Sequence, residues 1–248
     1  MRFTFRLTEF LRVIIATVLS GSPAWSADAR ALPRDADERV FVYGGTYFNS
    51  FNSNFTYVGS NIAPWGLDRS GMRFGMFGGG GSYEYLPTTG TKSSGKFIST
   101  DALVGWSLAT GIAHTNFMVG ANYQDQKLDR PDPTNPVQGA KLGFKGQVDT
   151  YVNPTPSTMI FALGAYSTAF RTYYTEAKLG VALLHDVDVF IGPQFTALGN
   201  LRFDEWRIGG HLTGMRLGLI EISLAGGYLR DSNLGSGVYG TVNASIRF

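Results

Sequence analysis

The stretch Gly237–Phe248, GVYGTVNASIRF, decides how the chain is read. Phe248, Ile246, Ala244 and Val242 fall on one parity, and Arg247, Ser245, Asn243 and Thr241 on the other. Successive side chains of an extended strand point to opposite faces, so this is a closing strand with one apolar and one polar face. A sheet over a protein core and a sheet facing lipid both produce that pattern. The rest of the chain has to separate them.

Towards the N-terminus the alternation returns repeatedly. In EISLAGGYLR, Ile220, Ile222, Leu224 and Tyr228 oppose Glu221, Ser223 and Ala225. EWRIGGHLTG sets Trp206, Ile208 and Leu212 against Glu205, Arg207, His211 and Thr213. In YYTEAKLGVALL, Ala177, Leu179, Val181 and Leu183 oppose Glu176 and Lys178. QGAKLGFKGQVDTYV sets Ala140, Leu142, Phe144, Val148 and Val152 against Lys141, Lys145, Gln147, Asp149 and Tyr151. No window carries a helical period. The pattern predicts about twelve strands, beginning near Val40, Asn54, Gly71, Phe97, Ile112, Gln138, Thr158, Tyr173, Val187, Phe203, Leu217 and Ser236. The segments near Met159 and Val187 sort poorly. The strand from Met72 through FGGGGS puts Arg73 and Glu84 on opposite parities, as an intervening bulge would.

The links between strands differ by parity too. Odd-numbered links include the long LPTTGTKSSGK, KLDRPDPTNPV and RDSNLGSG, whereas even-numbered ones include TG, NPTPS and HDV. Short turns on one side and longer loops on the other are expected of a transmembrane barrel with an even number of strands. The short FRTY around Arg171 is the exception. The predicted fold is therefore all-β, a transmembrane antiparallel up-and-down barrel over residues 40–248. The competing reading is an exported β-sandwich or jelly roll, which would fractionate away from the membrane.

Composition agrees with a barrel. The chain is 44% hydrophobic and 16% charged, with 32 glycines and no cysteine, and its mean hydropathy is near zero. Arg2, Arg6 and Arg12, the apolar run VIIATVL and the small residues after it predict a signal peptide over residues 1–26, with cleavage after Ser26 or Ala29. A polar lead-in to residue 39 follows. Losing that segment removes Arg2, Arg6, Arg12 and Glu9 and leaves the charges balanced, so no nucleic-acid partner is expected. The absence of cysteine excludes a disulfide-held module.

Chemistry-bearing residues are few. His114, His185 and His211 lack a serine neighbour in sequence that would suggest a nucleophile and base, and no stretch matches the motifs of lipid A deacylases or outer-membrane phospholipases. Asp186 and Asp188 read as a solvated hairpin turn, not a metal site. The glycines of residues 78–81 lack the lysine and helix of a phosphate loop and read as a bent strand. No catalytic centre, metal or cofactor is expected. A charge on the lipid side costs roughly 2–4 kcal/mol at the bilayer midplane. Asp101, Lys141, Lys145, Asp149, Glu176, Lys178, Glu205, Arg207, Glu221 and Arg247 should therefore face inward. Opposite signs can pair across the lumen, while charged groups and rings also suit sugar hydroxyls. Tyr151, Tyr174, Tyr239 and His211 share the inward parity and complete a candidate carbohydrate path.

The stretches DRPDPTNPVQGAKLGFKGQ, GAYSTAFRTYYTEAKLG, IGPQFTALGN with EWRIGGHLTG, and GSGVYGTVNASIRF resemble the cellulose biosynthesis protein BcsS family of alphaproteobacteria. The Asp-Pro-x-Asn-Pro loop at residues 132–136, followed by Tyr-Ser-Thr-Ala-Phe at 166–170, is its most specific part. The resemblance implies an outer-membrane accessory or export component of cellulose production. It makes cellulose or another glucan, the membrane lipid and other secretion proteins the expected partners. The inward residues then become candidates for a glucan path. The periplasmic repeat of the usual cellulose export porin is not found, and a general small-solute or oligosaccharide porin is the alternative.

Overall fold

The computed structural model describes residues 38–87, 90–184 and 187–248. They form twelve strands: β1 (Val40–Asn49), β2 (Asn54–Ile62), β3 (Gly71–Tyr85), β4 (Ser93–Ala109), β5 (Ala113–Leu128), β6 (Gly139–Val152), β7 (Thr158–Ser167), β8 (Thr172–Leu184), β9 (Val187–Gly199), β10 (Asp204–Leu217), β11 (Ile220–Asp231) and β12 (Gly235–Arg247). Each pairs antiparallel with its sequence neighbours, and β12 pairs with β1, which closes the sheet into a barrel. Closure gives every strand two partners and removes the exposed edges of an open sheet. The expected signal segment and the lead-in as far as residue 37 lie outside the described residues.

Most strands begin within a residue or two of the sequence expectation, with two corrections. β4 begins at Ser93 instead of Phe97, and β11 at Ile220 instead of Leu217, because β10 continues through Leu217. β10 is also where a register shift occurs, between Leu212 and Met215. The bulge expected in the glycine run is not found: β3 keeps an unbroken register with β2 and β4. Arg73 is buried, while Glu84 stands at the other end of the strand, where Lys92 Nζ lies 3.1 Å from its Oε2.

The odd-numbered links gather at one end, the mouth; the start of β1, the end of β12 and the even-numbered links share the other, the even end. The contrast in loop length is softer than expected, since part of LPTTGTKSSGK is taken up by β4 and the even-end link 63–70 is itself long. Height differs more. A tilted strand needs about 9–11 residues to cross a bilayer. β1, β2 and β7, with 10, 9 and 10 residues, are that long. β3, β4, β5 and β6, with 15, 17, 16 and 14, continue past their neighbours and form a high wall on one side of the mouth. The wall drops at the β7–β8 turn, residues 168–171. There Phe170 and Arg171 both take the left-handed backbone conformation, with φ of 50° and 53°, which non-glycine residues seldom adopt. The surroundings hold them. Ala169 and Phe170 are buried, the Lys141 ammonium stands 5.4 Å from the Phe170 ring centroid, Thr168 N donates to Phe144 O, and Leu201 N donates to Phe170 O.

Outward side chains make an apolar belt that includes Val58, Val104, Val119, Leu179, Ile208 and Val242. Aromatic pairs border it. Trp65 and Trp106 lie 6.2 Å apart near the even end, and Trp206 and Tyr228 lie 5.5 Å apart near the mouth. An apolar band between aromatic girdles is what a barrel needs to sit in a bilayer.

The inside is less polar than expected. Met159, Phe161, Leu163 and Phe190 form one buried cluster. Phe41, Tyr43, Tyr57, Ala63, Leu67 and Phe77 form another. β7 and β9 sorted poorly in the sequence because Met159, Phe161 and Phe190 are buried inside while Ile160 and Ile191 are exposed outside. Both parities are apolar there, so alternation has nothing to separate.

Candidate functional site

The lumen divides into a filled lower part and a cup at the mouth. At the even end, the link 63–70 folds across the opening. Arg73 Nη2 donates to the carbonyls of Leu67 and Arg69, each at 2.8 Å. His114 Nε2 lies 3.0 Å from Leu67 O and 2.8 Å from Ser107 Oγ. Sequence spacing did not suggest this serine and histidine as neighbours. Ser107 is fully buried beneath the link, and the imidazole is engaged by a backbone carbonyl, so the pair clamps the link in place.

Above that closure, ion pairs join the apolar clusters. Lys145 pairs with Asp101 and lies 5.5 Å from the Phe77 ring centroid, on a strand three away. Lys178 Nζ is 2.6 Å from Glu176 Oε1, and both side chains are almost fully buried. Arg207 Nε donates to Glu205 Oε1 at 2.5 Å, and its guanidinium carbon lies 3.7 Å from the Tyr47 ring centroid on β1, three strands along the closed sheet. Asp149 accepts from Asn116 Nδ2 at 2.8 Å and Gln147 Nε2 at 3.4 Å. His211 Nε2 is 3.0 Å from Leu179 O, which can only accept, so Nδ1 takes the Thr213 hydroxyl at 2.9 Å. Between Tyr43, Phe77, Asp101, Met118 and Gln147 the remaining void is about 10 Å³. The charges are packed against one another, and truncating one member of such a pair leaves the other buried and alone.

The cup above them has a volume of about 270 Å³. Lys145, Glu205, Arg207 and Tyr57 contribute to its lower wall, and Tyr57 OH donates to Asn243 Oδ1 at 2.6 Å. One side carries an amide ladder on β5. Asn122 Nδ2 donates to Asp101 Oδ1, Gln124 Nε2 donates to Asn122 Oδ1 and Thr172 Oγ1, and Gln126 Oε1 accepts from Tyr83 OH. Next to it, on β2, β3 and β4, the wall is aromatic, with Phe55, Phe97, Tyr83 and Tyr85, and Phe97 is the register partner of Gln126. The β5–β6 link, whose prolines and short acids read as a stiff surface turn, instead folds inward. Its Asn135 and Val137 are buried and line the cup.

The sequence-predicted residues separate by height. Lys145, Tyr174, Glu205 and Arg207 line the cup. Tyr239 adjoins it, its ring 6.4 Å from that of Tyr47. Asp149, Glu176, Lys178 and His211 lie in the filled part. Tyr151 accepts from Asn153 Nδ2 and packs on the Met159 cluster. Arg247 sits at the even end, its Nη1 3.7 Å from Glu38 Oε2 and 3.4 Å from Asp68 Oδ1. Lys141 is exposed at the rim, over Phe170. The inward parity is right for this set, but parity carries no information about depth. Phe55, Phe97, Tyr83 and Tyr85 were missed. The available signal was ring-to-glycine pairing across the ladder: Gly81 is the register partner of both Phe55 and Phe97, and Gly95 that of Tyr83. His185 and Asp186, and with them the acidic turn, lie outside the described residues.

A closed antiparallel barrel with an apolar belt, a packed lumen and a cup at its mouth belongs to the class of membrane-type β-barrels. The family model of cellulose biosynthesis protein BcsS matches residues 40–248, the whole barrel, and the chain belongs to that family. Membership brings a role in cellulose biosynthesis. No curated protein matches the chain. Among solved structures it is similar to the KdgM porin at 7% identity, with a TM-score of 0.46 over 84% of this chain and 99% of that one. It is similar to LpxR from Salmonella typhimurium at 11% identity, with a TM-score of 0.47 over 84% and 100%. The Pseudomonas putida toluene transporter TodX is similar at 10% identity, with a TM-score of 0.46 over 94% and 96%.

Proposed function

We propose that this protein is a non-catalytic accessory component of cellulose production and secretion, seated in the bacterial outer membrane, and that the polymer does not travel through its lumen. The observation that carries this reading is the filled lumen. Buried ion pairs and two apolar clusters occupy the section between the even-end link and the cup. A glucan strand crossing that section would have to displace them and leave several charges unpaired, which is costly. The apolar belt and its aromatic borders support the membrane setting. The clamped arrangement of His114 and the carbonyl-bound ring of His211 support a role without catalysis.

The test is a clean deletion with cellulose measured in the medium and in the periplasm. An accessory role predicts less, or disorganised, cellulose outside with no accumulation inside. Accumulation in the periplasm would instead make the barrel a conduit. The reconstituted barrel should give no stable conductance in planar bilayers, whereas an open current blocked by sugars would favour the porin reading. Replacing His114 and His211 with alanine should leave lipid composition unchanged; an altered lipid profile would reinstate an enzyme.

A further inference from the structure

We propose that the cup binds the end of an uncharged gluco-oligosaccharide, packed against the aromatic cluster of Phe55, Phe97 and Tyr83 and hydrogen-bonded by Tyr85 and Gln126; the choice of glucan rests on the cellulose role proposed above. The rings of Phe55 and Phe97 stack with centroids 4.7 Å apart and planes at 27°. They come from β2 and β4, on either side of β3, and meet because their common partner on β3 is Gly81. Tyr83 joins the cluster, its ring centroid 6.0 Å from that of Phe97 and its plane tilted by 57°. Its partner Gly95 lets the phenol ring lie against the wall, since a Cβ there would come within 2.7 Å of it. All three rings are half-buried and line the cup. A hexose presents C–H groups on its ring faces and hydroxyls on its rim, so aromatic rings with polar groups beside them suit it.

The polar groups are there. The Tyr85 side chain lines the cup and is only 4% exposed, yet its hydroxyl has no hydrogen-bond partner among the described residues. A buried hydroxyl left unpaired is uncommon and points to a partner supplied from outside. Gln126 is buried beside Tyr83, whose hydroxyl donates to its Oε1 at 3.2 Å. Charge does not favour an acidic polymer. Lys145 and Arg207 are already paired with Asp101 and Glu205, and the other charged residues lining the cup, Glu84, Arg202 and Asp231, are of both signs and leave the lining balanced in number. A volume of about 270 Å³ is near the low end of ligand pockets and admits about one or two sugar rings, the end of a chain and not its middle.

Calorimetric titration of the full-length protein in detergent with cellopentaose tests the site. The folded wild type should bind, and the double variant Phe55→Ala/Phe97→Ala should bind at least about tenfold more weakly. Tyr85→Phe, which removes one oxygen and keeps the ring, should weaken binding severalfold while leaving the heat-modifiable gel band of the folded barrel unchanged. No binding by the wild type, equal binding by the folded double variant, or tighter binding of an oligogalacturonate of the same length would overturn the proposal. Binding as expected together with an unaltered cellulose phenotype on deletion would sink the accessory role and leave the sugar site standing. Loss of cellulose outside with no binding would do the reverse.

Discussion

The filled lower lumen and the cup use the same inward positions of the same strands, and their side chains are disposed in opposite ways, packed together below and around a hollow above. Below, Glu176 has Lys178, Asp149 has two amides, and His211 has a carbonyl and a hydroxyl. Above, the Tyr85 hydroxyl is buried without a partner, and the half-buried rings of Phe55, Phe97 and Tyr83 border the cup. The lower part resembles the core of a water-soluble protein turned inside a barrel, and its polar residues serve stability. The upper part is hollow, and the aromatic cluster and the Tyr85 hydroxyl border that space. Open volume, more than residue type, separates the two.

Breaking a pair in the lower part should have the largest effect. Lys178→Met leaves Glu176 buried without its cation and should cost about 3–5 kcal/mol, read as a lower urea midpoint for the heat-modifiable band. Glu176→Leu combined with Lys178→Met should recover most of that loss. A double variant as unstable as the single one would show that the pair is not what holds this region. One residue along, Leu179 faces outward and is 54% exposed. Leu179→Arg should cost about 2–4 kcal/mol near the bilayer midplane and less near an interface. An equal loss in a water-soluble polymer belt and in lipid would argue that the face does not meet hydrocarbon.

The cup should respond differently. Gly95→Ala places a methyl against the Tyr83 ring and should cost about 1 kcal/mol of stability, while weakening cellopentaose binding more than that loss explains. Unchanged affinity would detach Tyr83 from the site. The smallest effect belongs to the exposed pair at the rim. Lys92→Ala removes the contact with Glu84 and should change stability by about 0–1 kcal/mol, vanishing at high salt.

Strand positions were legible because lipid on one side and a mixed lumen on the other impose a period of two, and turn residues punctuate it. β12 and β6 show this without ambiguity. β7 and β9 do not, since Phe161 and Ile160 are apolar for different reasons, one facing a core and one facing outward. The charged members of the site were legible as inward-facing. Their depth was not, because Lys145 in the cup and Asp149 in the filled part occupy equivalent parities of one strand. The aromatic cluster stayed hidden because Phe55, Tyr83 and Phe97 belong to three strands, and it is the glycines between them that bring the rings together.

The β7–β8 turn carries a practical consequence for engineering this barrel. Outer loops are the usual place to insert an epitope tag, because loop tips generally tolerate added residues. Here Phe170 and Arg171 hold a left-handed backbone without glycine, and the turn is tied to β6 through Thr168 and to the β9–β10 link through Leu201. A tag placed there would separate two neighbours that the turn holds together and would lower the yield of folded barrel. The β3–β4 link around Gly90, where a Cβ would meet open space, is the position from which surface display should succeed.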